Sequence, residues 1–249
     1  MSLKAEGTVG HVLVFPTPGQ VALATAERFV AHAQEAINSH GAFTVSLAGG
    51  NTPRRVYELL ATAPFKQLIE WSRAHLFFGD ERCVSPDHPD SNYGMVYSTL
   101  ISRVEIPADN VHRIVGEGNP EQNAESYEKE LRTFFDELPW PRFDLVLLGM
   151  GEDGHTASLF PGSDALREES KWVVATRMEQ LKQDRITLTA QVFNHAAQVV
   201  FLVTGQAKAK RLLEVLRHRP GADRLPAQLI QPVDGTLEWL VDRAAASLL

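Results

Sequence analysis

The residues best suited to chemistry lie between Phe143 and Gly162, a stretch that reads FDLVLLGMGEDGHTASLFPG. His155 is its proton carrier, because imidazole changes protonation near neutral pH. It follows Glu152 and Asp153 and is surrounded by Gly149, Gly151 and Gly154. Glycine tolerates positive φ and has no Cβ, so such a loop turns sharply and lets a ligand approach the backbone. The apolar run Leu145–Leu148 ahead of it, bounded by Asp144 and Gly149, reads as a buried central strand. In an open α/β sheet, ligands bind just past the carboxyl ends of the strands, which is where this loop puts His155. A Gly-rich turn carrying a surface histidine would look the same in isolation, so other segments must decide.

Three further stretches follow strands in the same way. Gly49-Gly50-Asn51-Thr52-Pro53 comes after a short strand, Thr44–Ala48, and opens a helix that turns Val56, Leu59 and Leu60 inward. Thr52 reads as the N-cap and Pro53 as the first helical residue. A strand, a Gly-rich turn and a helix N-terminus together bind phosphate through free N–H groups and the helix dipole. Arg54 and Arg55 occupy the first turn, where the dipole favours acids, so an anion would balance them. The plain alternative is a well-capped helix. Gly79-Asp80-Glu81-Arg82 closes the strand His75–Phe78, either as site residues or as a solvated turn with an internal ion pair. Gly205 closes the strand Val199–Thr204, and Lys208 near the next helix start is either an anion ligand or a surface lysine. Four polar groups behind four strands, at one edge of a sheet, argue for a common site.

Several chemistries are set aside. Gly149-x-Gly151-x-x-Gly154 matches a dinucleotide fingerprint, but Pro161-Gly162 ends any following helix within two turns. The next strand, Trp172–Thr176, also ends without an acid to hold a ribose, so the NAD reading is rejected. Ser158 lies in what reads as a short helix, and the chain has no G-x-S-x-G elbow. Cys83, the single cysteine, reads as a small buried hydrophobe and excludes an internal disulfide, as in a reducing compartment. The nine histidines show no mutual ligand spacing, and His88 between Asp87 and Asp90 is a weak metal candidate. No metal and no cofactor is expected.

The elements that must position these groups alternate. His11–Phe15 reads as a first strand, followed by a helix carrying Ala22, Ala26, Phe29, Val30, Ala33 and Ile37 inward and stopping at His40-Gly41. Asn92-Tyr-Gly94 leads into a helix through Met95, Leu100 and Ile101, and Val111–Val115 is a short strand. Asn119-Pro120 caps a helix that buries Ala124, Tyr127, Leu131, Phe134, Phe135 and Leu138, with Glu125/Lys129 and Glu128/Arg132 pairs outside. Trp172–Thr176 and Arg185–Thr189 are two further, antiparallel strands. The helix after Gly205 turns Ala209, Leu212, Leu213 and Leu216 inward, and Leu237–Leu249 is expected as a terminal helix. The fold class is therefore α/β, a three-layer α/β/α sandwich with a mainly parallel, Rossmann-like sheet. At 249 residues without a linker, one domain over 1–249 is expected. A formal charge of −7 speaks against a nucleic-acid partner, and the absence of a membrane-length apolar run or a leader predicts a soluble, cytoplasmic protein.

With these residues in view, a family resemblance can be stated. AGGNTP (48–53), GDERCVSPDHPDSNYGM (79–95), LLGMGEDGHTASLFPG (147–162), RITLT (185–189) and VTGQAKAK (203–210) resemble 6-phosphogluconolactonases, in that family's order. The related glucosamine-6-phosphate deaminases, similar in fold, carry DEY in place of Asp80-Glu81-Arg82 and DGHIAFNEP in place of Asp153–Pro161. One departure is AGGNTP where the family usually has SGGSTP, which puts Ala48 and Asn51 in serine positions. An amide still donates to phosphate.

The resemblance implies metal-free hydrolysis of 6-phospho-D-glucono-1,5-lactone to 6-phosphogluconate in the oxidative pentose phosphate pathway. His155 would be the general base and Asp153 its orienting partner. Arg82 would serve either the oxyanion or the phosphate. The phosphate would meet Gly49, Gly50, Asn51 and Thr52, with Arg185 and Lys208 supplying charge, and Asp80, Asn92 and Gly151 would complete the substrate surface. The expected partner is a small sugar-phosphate lactone, bound by a monomer or small homo-oligomer with neither nucleic acid nor membrane. A deaminase or isomerase on the same scaffold, and a sugar-phosphate sensor without catalysis, are the rival readings.

Overall fold

The computed structural model describes residues 2–3, 10–136, 138–178, 183–217 and 224–249. Strands β1 (Ser2–Leu3) and β2 (His11–Phe15) lead into helix α1 (Pro18–His40), strand β3 (Phe43–Leu47) and helices α2 (Asn51–Leu60) and α3 (Phe65–Leu68). Strands β4 (Ala74–Phe78) and β5 (Asp80–Arg82), helix α4 (Asn92–Thr99) and strand β6 (Val111–His112) follow. Helix α5 (Pro120–Phe134) precedes strands β7 (Leu145–Gly149), β8 (Val173–Met178) and β9 (Gln183–Leu188). The chain then runs through α6 (Ala190–Asn194), β10 (Gln198–Val203), α7 (Ala209–Leu216) and β11 (Thr236–Asp242).

Eight strands form one sheet in the order β1-β2-β11-β10-β7-β3-β4-β6, parallel throughout except at β1–β2. Strands β3 and β10 are buried along their whole length and β7 up to Gly149, because helices cover both faces of a parallel sheet. The result is the three-layer α/β/α arrangement expected. From β3 the chain proceeds outward to β4 and β6, then returns to β7 and works the other way to β10 and β11. The order therefore reverses between β3 and β7, and a crevice opens there between their carboxyl-end loops. Those loops are Gly49–Thr52 and Gly151–His155.

A second, antiparallel sheet of three strands, in the order β5-β9-β8, stands beside the first. Its register sets Asp80 opposite Thr187 and Arg82 opposite Arg185. The charged triplet 80–82, read as site residues or as a solvated turn, forms a strand, joined to β4 through Gly79, whose carbonyl accepts the Leu188 N–H at 2.9 Å. The strands around Trp172 and Arg185 are antiparallel neighbours as expected. No helix of the dinucleotide-binding kind links β7 to β8; a short 3₁₀ turn at Asp164–Arg167 stands there.

Three expectations need correction. The terminal segment forms β11, which lies between β10 and β2 in parallel register, rather than a helix. Leu237, Trp239, Leu240 and Val241 are buried on both faces of the sheet, so they lack the alternation that distinguishes a strand and also fit helical spacing. Helix α5 stops at Phe134, which leaves Leu138 46% exposed instead of buried. Of its two outer pairs, Glu128–Arg132 forms at 2.7 Å, and the other Glu128 oxygen accepts Trp172 and Val173 N–H groups. Helix α2 begins at Asn51 with Gly50 as its N-cap, so Thr52 lies inside the first turn.

Candidate active site

The loop after β3 is built to leave N–H groups open. Gly50 adopts φ 99° and ψ 173°, a region essentially reserved to glycine, and no side chain among the described residues caps α2. Tyr57, one and a half turns into α2, donates its hydroxyl to the Ala48 carbonyl at 2.8 Å and accepts the Ala48 N–H at 3.0 Å. That pair fixes the strand end against the helix. Burial pushes the Tyr57 phenol well above its ordinary range, so it remains a neutral hydroxyl. Thr52 exchanges a hydrogen bond with Thr204, at the end of β10, at 2.8 Å. Gly49 is demanded by crowding: a Cβ there would stand 1.9 Å from Asn92 Oδ1. Arg54 and Arg55 are exposed, and Arg54 faces a neighbouring cleft of 580 Å³ rather than this loop.

The loop after β7 pairs His155 with Asp153. Asp153 Oδ1 accepts the His155 backbone N–H at 3.0 Å and lies 2.6 Å from the ring Nδ1. Partial burial opposes ionisation of Asp153, but the backbone N–H and ring of His155 outweigh it and hold the carboxyl below its usual range. An ionised carboxylate only accepts, so the ring proton sits on Nδ1 and Nε2 is left as the basic nitrogen. Phe160 packs on the ring at 4.9 Å between centroids. Gly151 is required because a Cβ would lie 2.1 Å from His155 Nδ1. Beyond His155 the chain forms a tight turn with an isolated Thr156–Leu159 bridge, not the short helix expected around Ser158.

Strand β5 joins the two loops. Asp80 Oδ2 accepts the Ser158 hydroxyl at 2.7 Å, and its Oδ1 accepts Asn92 Nδ2 at 3.1 Å. Glu81, 2% exposed, accepts the N–H groups of Arg82, Asn92 and Tyr93 at 2.7–2.8 Å. Burial raises the Glu81 pKa, against those three N–H groups, and the carboxylate faces the positive end of α4. Arg82 Nη1 donates to the Asp90 carbonyl, while its Nε is buried without a partner among the described residues. Arg185, across the strand pair, donates to Gln183 at 2.9 Å; burial and then the Arg82 charge depress its pKa. Two guanidiniums facing each other favour an anion between or beside them.

These segments enclose a cleft of 440 Å³ lined by Gly49, Gly50, Asn51, Thr52, Asp80, Arg82, Asn92, Gly151, His155 and Lys208. Ten of the twelve residues expected at the site are brought together there. Asp153 reaches it through His155, and Arg185 through its register with Arg82. Lys208 Nζ is 4.0 Å from Glu152, in the loop that carries His155. The cleft therefore has an amide-lined, cationic end suited to phosphate and a histidine able to take a proton from water. From the sequence, Glu81 stood among the polar residues behind a strand without a role of its own, Ser158 was weighed only as a nucleophile, and Ala157 and Thr204 were not singled out. Of the last two, Thr204, directly before Gly205 at a strand end, carried a positional signal.

The chain's relatives share this architecture. Residues 16–239 match the model of the family described as glucosamine-6-phosphate isomerases/6-phosphogluconolactonase. A 6-phosphogluconolactonase of Nostoc is 43% identical over 219 residues, covering 86% of this chain and 88% of its own. One from Haemophilus influenzae is 38% identical, covering 96% of this chain and 100% of its own. The solved structure of Trypanosoma brucei 6-phosphogluconolactonase is 30% identical, covers 96% of this chain and 98% of its own, and superposes with a TM-score of 0.86. The chain belongs to the glucosamine-6-phosphate isomerase/6-phosphogluconolactonase family.

Proposed function

We propose that the protein hydrolyses 6-phospho-D-glucono-1,5-lactone to 6-phosphogluconate, with His155 as the general base. The observation that carries this reading is the His155–Asp153 pair opening into the same cleft as the amide-lined turn Gly49–Thr52. The substrate's phosphate docks on the N–H groups of that turn and of α2, neutralised by Lys208 and by the Arg82–Arg185 pair. Its ring extends toward His155. Neutral Nε2 removes a proton from a water as the water attacks the lactone carbonyl, while Asp153 keeps the ring proton on Nδ1 and steadies the imidazolium that forms. Arg82 and the loop N–H groups are the donors available to the developing oxyanion. Collapse of the tetrahedral intermediate breaks the ring C–O bond; the proton held by His155 passes to the leaving alkoxide, which becomes the product hydroxyl. The curated relatives named as 6-phosphogluconolactonases support this substrate over the amino sugar of the deaminases.

The test is disappearance of lactone generated in situ, with wild type, His155→Ala and an enzyme-free blank, because the lactone hydrolyses unaided. Wild type is expected to exceed the blank and His155→Ala to lose about 10²–10⁴ in rate while still binding 6-phosphogluconate. Wild type at the blank rate overturns the reading, and a fully active variant removes His155 as the base.

A further inference from the structure

Ser158, Asp80 and Asn92 form a buried polar chain whose members are 0%, 7% and 2% exposed. Ser158 donates to Asp80 Oδ2 at 2.7 Å. Asn92 donates from one amide nitrogen to Asp80 Oδ1 at 3.1 Å and to the Asp80 carbonyl at 2.9 Å. The other end of the Asn92 amide presses on Gly49 so closely that a Cβ would stand 1.9 Å from Oδ1. One chain of contacts thus runs from the turn behind His155, across β5, to the amide-lined turn. A hydrogen bond to a buried carboxylate is strong and directional, so this chain transmits position rather than merely filling space.

Backbone strain at the His155 end points the same way. Ala157 has φ 47°, an uncommon conformation for a residue with a side chain, and it lines the cleft. It is flanked by two anchors, Thr156 Oγ1 to the Gly149 carbonyl at 2.8 Å and Ser158 Oγ to Asp80. The Ser158 N–H holds the same turn more loosely, to Thr187 Oγ1 at 3.3 Å, so the hydroxyl is the shorter of its two anchors, and His155 lies three residues away. Glu81 makes the opposite end rigid, since it ties down the Asn92 and Tyr93 N–H groups and, at 3.2 Å, the Ser91 hydroxyl.

We infer that Ser158 is a positioning residue, which through Asp80 and Asn92 holds the His155 loop at a set distance from the phosphate turn. Its hydroxyl contributes geometry between the base and the bound phosphate and takes no part in the chemistry. The kinetic readout rests on the lactonase reading, so the experiment also includes one that does not. A misplacement of about 1 Å costs on the order of 10²-fold in rate. Ser158→Ala is accordingly expected to lower kcat about 10- to 100-fold, with 6-phosphogluconate affinity within twofold of wild type. Ser158→Cys, which keeps a weaker donor, recovers part of the loss. Asn92→Ala weakens 6-phosphogluconate binding as well. Because both act through Asp80, the double variant loses less kcat/KM than the product of the single losses. In parallel, the ring NMR signals of His155, assigned by their loss in His155→Gln, shift in Ser158→Ala. A Ser158→Ala enzyme with wild-type kcat/KM, or single losses that multiply in full, overturns the inference. If wild type fails to exceed the uncatalysed lactone blank, the lactonase reading falls by itself. The positioning role then stands if the His155 signals move in Ser158→Ala and falls if they do not.

Discussion

Replacing Asp153 by Asn separates the orienting role of the carboxylate from its bulk. A single oxygen, Oδ1, takes both the His155 backbone N–H at 3.0 Å and the ring Nδ1 at 2.6 Å, and an asparagine carbonyl can occupy that position. What is lost is the charge. Hydrogen bonds to ionised groups contribute about 1.5–3 kcal/mol and neutral ones about 0.5–1.5 kcal/mol, so two bonds differ by roughly 2–3 kcal/mol before solvent is considered. The Asp153 side chain is 45% exposed and that of His155 30%, so water screens much of this. About 1–2 kcal/mol remains for a transition state in which His155 is cationic, which corresponds to a roughly 5- to 30-fold fall in kcat. The measurement is initial-rate loss of freshly generated lactone at constant pH, corrected for the blank, with 6-phosphogluconate binding by calorimetry as control. Product affinity should be unchanged, because Asp153 faces the ring and not the phosphate end. Wild-type kcat in Asp153→Asn would refute the orienting role, and a loss equal to that of His155→Ala would show that the carboxylate does more than orient.

Gly49→Ala drives a Cβ into Asn92 Oδ1, and Asn92 is held by two hydrogen bonds to Asp80 and cannot swing away. Overpacking of this kind costs about 1–3 kcal/mol; we expect a lower Tm and at least a tenfold rise in KM, and an unchanged KM would refute the close fit. Gly50→Ala has open space around it but a φ of 99°, so it should destabilise by about 1–3 kcal/mol in chemical denaturation without any clash. Lys208→Met should raise KM severalfold with little change in kcat, read from the same lactone assay, since in the proposed binding mode its charge would face the bound anion in ground and transition states alike. Burial depresses the pKa of His32 and of His75, the latter stacked at 5.4 Å on His112. Both groups take up protons more readily unfolded, where histidine titrates at about 6.5, so stability is complete above that pH and declines as pH falls toward the lower folded values. Tm should drop between about pH 7 and 5, and the double variant His32→Gln/His75→Gln should flatten that slope; an unaltered slope would refute the assignment.

Which groups could act was legible in the chain, and so was the kind of element carrying each. Gly-rich turns behind apolar strands, Asn119 as a cap, and the stop at Gly41 follow from local backbone chemistry that neighbours rarely overrule. Less legible were elements whose character depends on what surrounds them. Thr236–Asp242 reads as helix or strand until its burial between β10 and β2 is known. Asp80–Arg82 pairs with β9 across a hundred residues, and three consecutive charged residues give no local hint of a strand. Leu138 keeps its helical spacing but lies past the end of α5.

Within the site the same division holds. The sequence by itself determined the inventory: one histidine behind a glycine turn, an amide-rich turn before a helix, and several cations distributed along the chain. Only the tertiary structure decided which of these meet. The reversal of strand order between β3 and β7 brings the two turns to one crevice, and that reversal is a property of the whole sheet. It also removed Arg54 and Arg55 from the site, since their helix turns them to solvent. Glu81 and Ser158 became visible only through their partners, because a buried carboxylate or hydroxyl is defined by what it bonds, and those bonds span distant parts of the chain.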